Sequence, residues 1–162
     1  MNKIKSLILS LLISLMFPIN VFADKSDDTL VAAFSRELTQ LDYHYGTKTE
    51  FLILGDMIDS GLFYVNKEDL SYVPDIASDF KIVDDTTLDI NLRKNAKFHD
   101  GSEVTADDVV YTYNFIVKNE KNRRSKKIKG WLESIEKTGK HSIRFKSKYP
   151  YANLFNDLYR IK

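Results

Sequence analysis

The sequence contains no cysteine. That absence excludes disulfides, zinc–thiolate centres, thiol nucleophiles and a lipid-modified N-terminal Cys. Glycine and proline are scarce, at six and three residues, which excludes collagen-like or Pro-rich linker character. An excess of one charge is missing too. There are 24 Lys plus Arg against 23 Asp plus Glu, and without a positive surplus nothing points to nucleic acid as a partner. What is present is a 43% hydrophobic fraction in 162 residues. That is enough to bury the core of one domain of ordinary size.

Residues 1–23 differ in kind from the rest. Lys3 and Lys5 precede Leu7–Phe17, an uncharged apolar run, and Pro18 breaks any helix there. Val21 and Ala23 occupy the −3 and −1 places of a cleavage site. Basic start, short apolar stretch and small-residue site form the three-part pattern of a secretory signal peptide. The stretch Ser6–Ile19 is too short for a membrane helix, which needs about 20 residues. Cleavage removes Lys3 and Lys5 and no acidic residue, leaving a near-neutral chain with no second run of membrane length. The expected location is the periplasm, with no membrane insertion after cleavage. An untethered envelope protein would diffuse away from a cell with one membrane.

Along the remaining chain, Leu30–Phe34 reads as a buried strand followed by a loop. Thr47, with Glu50 three residues on, has capping-box spacing. It predicts a helix with an apolar face of Phe51, Leu52, Leu54, Met57 and Ile58, ended by Gly61. Leu62–Val65 reads as a strand and Asn66–Asp69 as a turn. Val73–Ala77 reads as a stiff connector, because Pro74 fixes its own φ and holds Val73 extended. Phe80 and Ile82, then Leu88, Ile90 and Leu92, alternate with polar residues as strands do, with a turn at Asp84–Thr87 and another at Asp100–Gly101. Thr105 caps the strongest predicted helix. Asp107 and Asp108 lie in its first turn, and Val109, Tyr113 and Ile116, with Val110 and Val117, form its buried stripe. Lys118–Lys129 is highly charged and reads as an exposed loop or helix end. Ile135, Ile143 and Phe145 predict a hairpin around Gly139–Lys140. Leu154, Phe155 and Leu158 place a helix within Tyr151–Arg160.

Sites for chemistry are few. His44, His99 and His141 are scattered without i, i+4 pairing, so no metal site is expected. Asp84–Asp85 and Asp107–Asp108 are adjacent carboxylates, but neighbours on a strand or helix point in different directions, and turn and helix-start roles account for both pairs. No nucleophile elbow, zinc-protease motif, phosphate loop or dinucleotide fingerprint occurs. No enzyme and no cofactor are expected. The nine Tyr and ten Phe mostly fit the apolar faces above and read as core.

One stretch carries more information. Pro74-Asp75-Ile76-Ala77 is followed by Leu92-Arg93-Lys94-Asn95-Ala96-Lys97-Phe98 and by Asp100-Gly101-Ser102-Glu103-Val104-Thr105-Ala106-Asp107-Asp108-Val109. In that order these motifs resemble the family 5 extracellular solute-binding proteins, the peptide- and nickel-type partners of ABC importers. Gln40-Leu41-Asp42 with Tyr43-His44 is similar to the family's loop after the first strand, with Tyr43 where Pro is common, and Gly61-Leu62 matches a later element. The resemblance implies an α+β fold, the N-terminal part of a two-lobed type 2 periplasmic-binding-protein fold. Residues 24–45 would be the first strand and loop of lobe one. Residues 46–162 would be an inserted α+β domain of mixed and antiparallel strands with packed helices. The chain would be a partial or truncated form lacking the second lobe and most of lobe one, and would bind peptide weakly or not at all by itself. The implied function is uptake of di- or oligopeptides, as a monomer, with a peptide ligand and a membrane permease as partners. Backbone groups at about Glu37, Leu38 and Thr39 would pair with the peptide main chain. The alternatives are a nickel-chelate or opine carrier of the same family, a stand-alone envelope interaction domain, and, third, a hydrolase using Asp carboxylates.

Overall fold

The computed structural model describes Tyr45 and residues 49–162. The leader read at 1–23, the Leu30–Phe34 strand and the loop with Glu37, Leu38 and Thr39 lie outside the described residues. The elements are α1 (Thr49–Ile58), β1 (Phe63–Val65), β2 (Tyr72–Pro74), β3 (Ala77–Asp84), β4 (Thr87–Leu92), α2 (Ala106–Lys118), α3 (Ser125–Trp131), β5 (Leu132–Gly139), β6 (Ser142–Ser147) and α4 (Leu154–Tyr159).

The main sheet has the order β3-β4-β6-β5 and is antiparallel throughout. Two of the rows of side chains that its register aligns across all four strands contrast in chemistry. Ile82, Leu88, Phe145 and Ile135 stand opposite one another in one row. The next row is Lys81, Asp89, Arg144 and Glu136, with signs alternating strand by strand. Successive side chains on a strand point to opposite faces, so one face is apolar and the other charged. Arg144 grips Asp89 as a fork, Nε to Oδ1 at 2.6 Å and Nη2 to Oδ2 at 2.7 Å. Bidentate pairing of this kind favours one cross-strand register over a slipped one.

Helix α2 covers the apolar face through the predicted stripe: Val109, Tyr113 and Ile116 are buried. Its start follows the sequence logic. Asp108 accepts from the Thr105 amide at 2.8 Å and from its hydroxyl at 2.7 Å, a capping box that supplies partners at the helix N-terminus. Tyr113 meets Phe145 edge-on at 4.8 Å. A second aromatic cluster closes the other end of the core, where Phe155 of α4 contacts Phe63 at 5.2 Å and Phe80 at 5.0 Å.

Four expectations need correction. Val73 and Pro74 belong to strand β2, paired with β1. Pro74 lies at the end of a two-stranded ribbon, where a missing N–H is tolerated. The basic stretch Lys118–Lys129 is more than an exposed loop or helix end: it runs into α3, which buries Ile128 and Trp131 at helical spacing. Met57 and Ile58 are about half exposed, while Asp56 beside them reaches Tyr159 and Lys162. Gly61 is not the cap of α1, which stops at Ile58. Its role is close approach: a Cβ there would lie 2.9 Å from the Ile161 carbonyl oxygen.

Candidate functional site

The three residues proposed from the resemblance, Glu37, Leu38 and Thr39, lie outside the described residues. The described residue nearest to them in sequence is Tyr45. Its hydroxyl is hydrogen-bonded to the Asn119 side-chain amide, just past the end of α2.

The motif residues form one connected scaffold. The Arg93 guanidinium donates to the carbonyls of Pro74 and Ala77, both at 3.2 Å, and the Arg93 amide donates to Ile76 at 2.9 Å. The Leu62 carbonyl accepts from Asp75 and Ala77. Val104 donates to Ala96 at 3.0 Å, and Phe98 to Ser102 at 2.9 Å, closing the turn at Gly101. Gly101 has φ of +87°, a conformation glycine adopts without the Cβ clash of other residues. Arg93 therefore clamps one motif segment to another, and the turn delivers the chain to the cap of α2.

Three short-range hydroxyl–carboxylate pairs are turn bonds. Asp69, Asp84 and Asp100 each accept from the amide and hydroxyl of the residue two positions on: Ser71, Thr86 and Ser102. These bonds hold all three carboxyls below their ordinary range. Glu103 receives Lys140 and His141, each at 2.7 Å, and the hydrogen bonds from those two groups lower its carboxyl as well. Such carboxylates are stabilised as anions and poorly suited to donate a proton. Among the described residues no group of three or more His, Asp or Glu could hold a metal ion.

A cavity of about 270 Å³ opens between the Ser60–Leu62 segment, the Lys97–His99 turn and α2. Val109 and Ile76 supply apolar wall, while Asp59, His99 and Thr112 supply polar groups. Asp108, which also lines it, is committed to the Thr105 cap. The buried phenol of Tyr113 is shifted upward by desolvation, so it stays neutral.

The buried centre that residue-by-residue reading missed is Asp157, which is 2% exposed. It accepts from Trp131 Nε1 at 3.0 Å and Tyr151 hydroxyl at 3.0 Å, and pairs with Lys127. Its one sequence signal is a carboxylate beside Leu158 in a helix that also carries Leu154 and Phe155. Two of its partners, Trp131 and Lys127, lie 26 and 30 residues away.

The sequence profile of bacterial extracellular solute-binding proteins, family 5, middle region, matches residues 71–162. The chain belongs to this family. The family 5 chain is 43% identical over 70 residues to the oligopeptide-binding protein AppA of Bacillus subtilis, a match covering 43% of this chain and 13% of that protein. The solved structure of AppA with a nonapeptide superposes with a TM-score of 0.69 at 32% identity, over 77% of this chain and 25% of AppA. NikZ of Campylobacter jejuni, solved with Ni(L-His), gives a TM-score of 0.66 at 24% identity, over 77% and 25% of the two chains. The family 5 chain therefore has part of a type 2 periplasmic-binding-protein fold. It spans about a quarter of the length of these solved relatives.

Proposed function

We propose that this chain is a portion of the substrate-binding component of an ABC importer for peptides, exported to the periplasm and working as a monomer. The similarity to AppA, an oligopeptide-binding protein whose solved complex holds a nonapeptide, carries this reading. Residues 1–23 act as the signal peptide, residues 24–45 supply the first strand and loop of a ligand-holding lobe, and residues 46–162 form the inserted domain. Backbone groups at Glu37, Leu38 and Thr39 pair with the peptide main chain by strand addition. Closure of two lobes around the ligand precedes docking on a membrane permease. The reading involves no catalytic step. The turn-bound and capped carboxylates described above support it.

A chimera tests it. Residues 24–162 replace the corresponding region of AppA, and nonapeptide binding is measured by calorimetry. Retained binding is expected, and Leu38→Pro, which removes a backbone donor, should weaken it by about tenfold, the value of one hydrogen bond. A folded chimera that binds no peptide, or one indifferent to proline at position 38, defeats the proposal.

A further inference from the structure

Helix α2 has two faces, and only one is used by the core. Val109, Tyr113 and Ile116 are buried. On another face Tyr111 is 69% exposed and Phe115 is 41% exposed, with their rings stacked at 6.0 Å and 20°. Lys118 continues this face one turn on, and Lys121 lines the same groove. Lys118–Lys129 contains seven cationic residues and one acidic residue, Glu120. Lys127 pairs with Asp157, and Lys129 lies 3.4 Å from Glu120. Lys118, Lys121, Arg123 and Lys126 are exposed. Among the described residues, none of these four lies within ion-pair distance of a carboxylate. The whole chain carries a formal charge of only +1, so this is a local concentration of positive charge.

We infer that the Tyr111–Phe115 face of α2 and the groove cations Lys118 and Lys121, continued along the chain by the exposed Arg123 and Lys126, form a peripheral docking surface for an anionic phospholipid bilayer. Charge complementarity selects the partner. All four cations are exposed and none is buried, which suits an extended anionic plane better than a small enclosed anion. Exposed aromatic rings beside cations match the headgroup zone, where amphipathic rings settle and each Lys or Arg adds attraction to anionic lipid. The two rings stack on each other, so they do not form an open slot for a nucleobase. Among the described residues no helix is long and apolar enough to cross a membrane, so the contact is superficial. This surface involves none of the residues proposed for peptide binding, and the two readings stand or fall separately.

The test is co-sedimentation of the full chain with vesicles of phosphatidylcholine, alone or mixed with phosphatidylglycerol. Partition onto the mixed vesicles should exceed that onto neutral ones and decline with added salt. The apolar run Leu7–Phe17 partitions regardless of lipid charge, so variants isolate the patch. The double variant Lys118→Gln, Lys121→Gln should lose about 25-fold in partition onto anionic vesicles, about fivefold per cation removed. The control Lys67→Gln, Lys94→Gln, with the same charge change elsewhere on the exposed surface, should lose far less. Tyr111→Ser with Phe115→Ser should weaken binding while the circular dichroism spectrum is unchanged. Equal partition onto neutral and anionic vesicles overturns the inference. So does equal loss in the control, or binding to polyglutamate or single-stranded DNA but not to the mixed vesicles.

Discussion

The indole N–H of Trp131 donates to the carboxylate of Asp157 at 3.0 Å, and neither residue is more than 2% exposed. The same carboxylate oxygen accepts from Tyr151 at 3.0 Å, while Lys127 binds the other. Tyr151 also stacks on Trp131 with ring centres 5.5 Å apart. One acidic side chain thus fastens α4 to α3 and to the segment after β6. Asp157→Ala would leave the buried indole donor without a partner and weaken the hold on the Tyr151 hydroxyl. The expected cost is about 3 kcal/mol, from the usual penalty for orphaned buried donors. Asp157→Asn keeps an acceptor and should cost distinctly less. Urea unfolding of the three proteins, followed by tryptophan fluorescence, checks both the size and the order.

Gly61 supplies the second prediction. Its backbone passes so close to the C-terminal segment that a Cβ would lie 2.9 Å from the Ile161 carbonyl oxygen and 3.2 Å from that of Tyr159. Both neighbours are main-chain atoms and cannot rotate away. The Gly61 carbonyl also accepts from Ile76 at 3.1 Å, so a shift there would propagate to the Pro74–Ala77 motif. Gly61→Ala should destabilise the chain by roughly 1–3 kcal/mol, the range for overpacking. Chemical denaturation should show a lower midpoint with an unchanged slope. An unchanged midpoint would mean that the two segments can separate without cost.

How much of this was legible in sequence depended on distance along the chain. Thr105 and Asp108 are three residues apart, so their cap was readable, as was the Asp100–Gly101 turn. The alternation of Leu88, Ile90 and Leu92 announced a strand because its period is a local property. Trp131 follows directly on a basic run, whose charge masks the spacing with Ile128. Asp157 draws its partners from 6, 26 and 30 residues away, and no local pattern encodes such convergence. Gly61 reads as a helix stop because glycine serves that role often; the approach of Ile161 is a tertiary fact. The motif spacing that identified the family marks Arg93 and its carbonyl partners, which are scaffold. Glu37, Leu38 and Thr39 came from resemblance alone, and they lie outside the described residues.

Leu70 offers a chance to stabilise the fold. It has φ of +60° and is 72% exposed. Its amide donates to the Asn66 carbonyl at 2.9 Å within the β1–β2 connection, so the left-handed conformation is held by the turn. Leucine there sets its Cβ against the following carbonyl, at a cost of about 1–2 kcal/mol. Asparagine accepts the conformation more readily and, unlike glycine, adds little freedom to the unfolded chain. Little buried area is lost at so exposed a position. Leu70→Asn should raise stability by roughly 0.5–1 kcal/mol, read as a higher urea midpoint. A lower midpoint would show that the exposed leucine contributes packing that its accessibility does not reveal.

Alkaline pH provides the last test of the Asp157 centre. Burial, followed by the hydrogen bond to Asp157, pushes the Tyr151 phenol up to about 12, against about 10 for an unperturbed tyrosine. The folded protein therefore holds this proton more tightly than the unfolded chain. By linkage, the corresponding stability is fully present below about pH 10 and is lost as pH rises towards about 12. Over that window the unfolded chain ionises first. Tyr151→Phe has no proton to lose there, so its unfolding free energy should decline less steeply with pH than that of the parent. At neutral pH the same variant should be weaker by about 1 kcal/mol, the value of the missing hydrogen bond. Part of the slope should remain in the variant, because desolvation raises the buried Tyr113 phenol as well. Urea midpoints of the two proteins, measured from neutral pH upward, should converge as the medium becomes alkaline. Parallel curves would show that Tyr151 ionises as freely in the folded protein as in water.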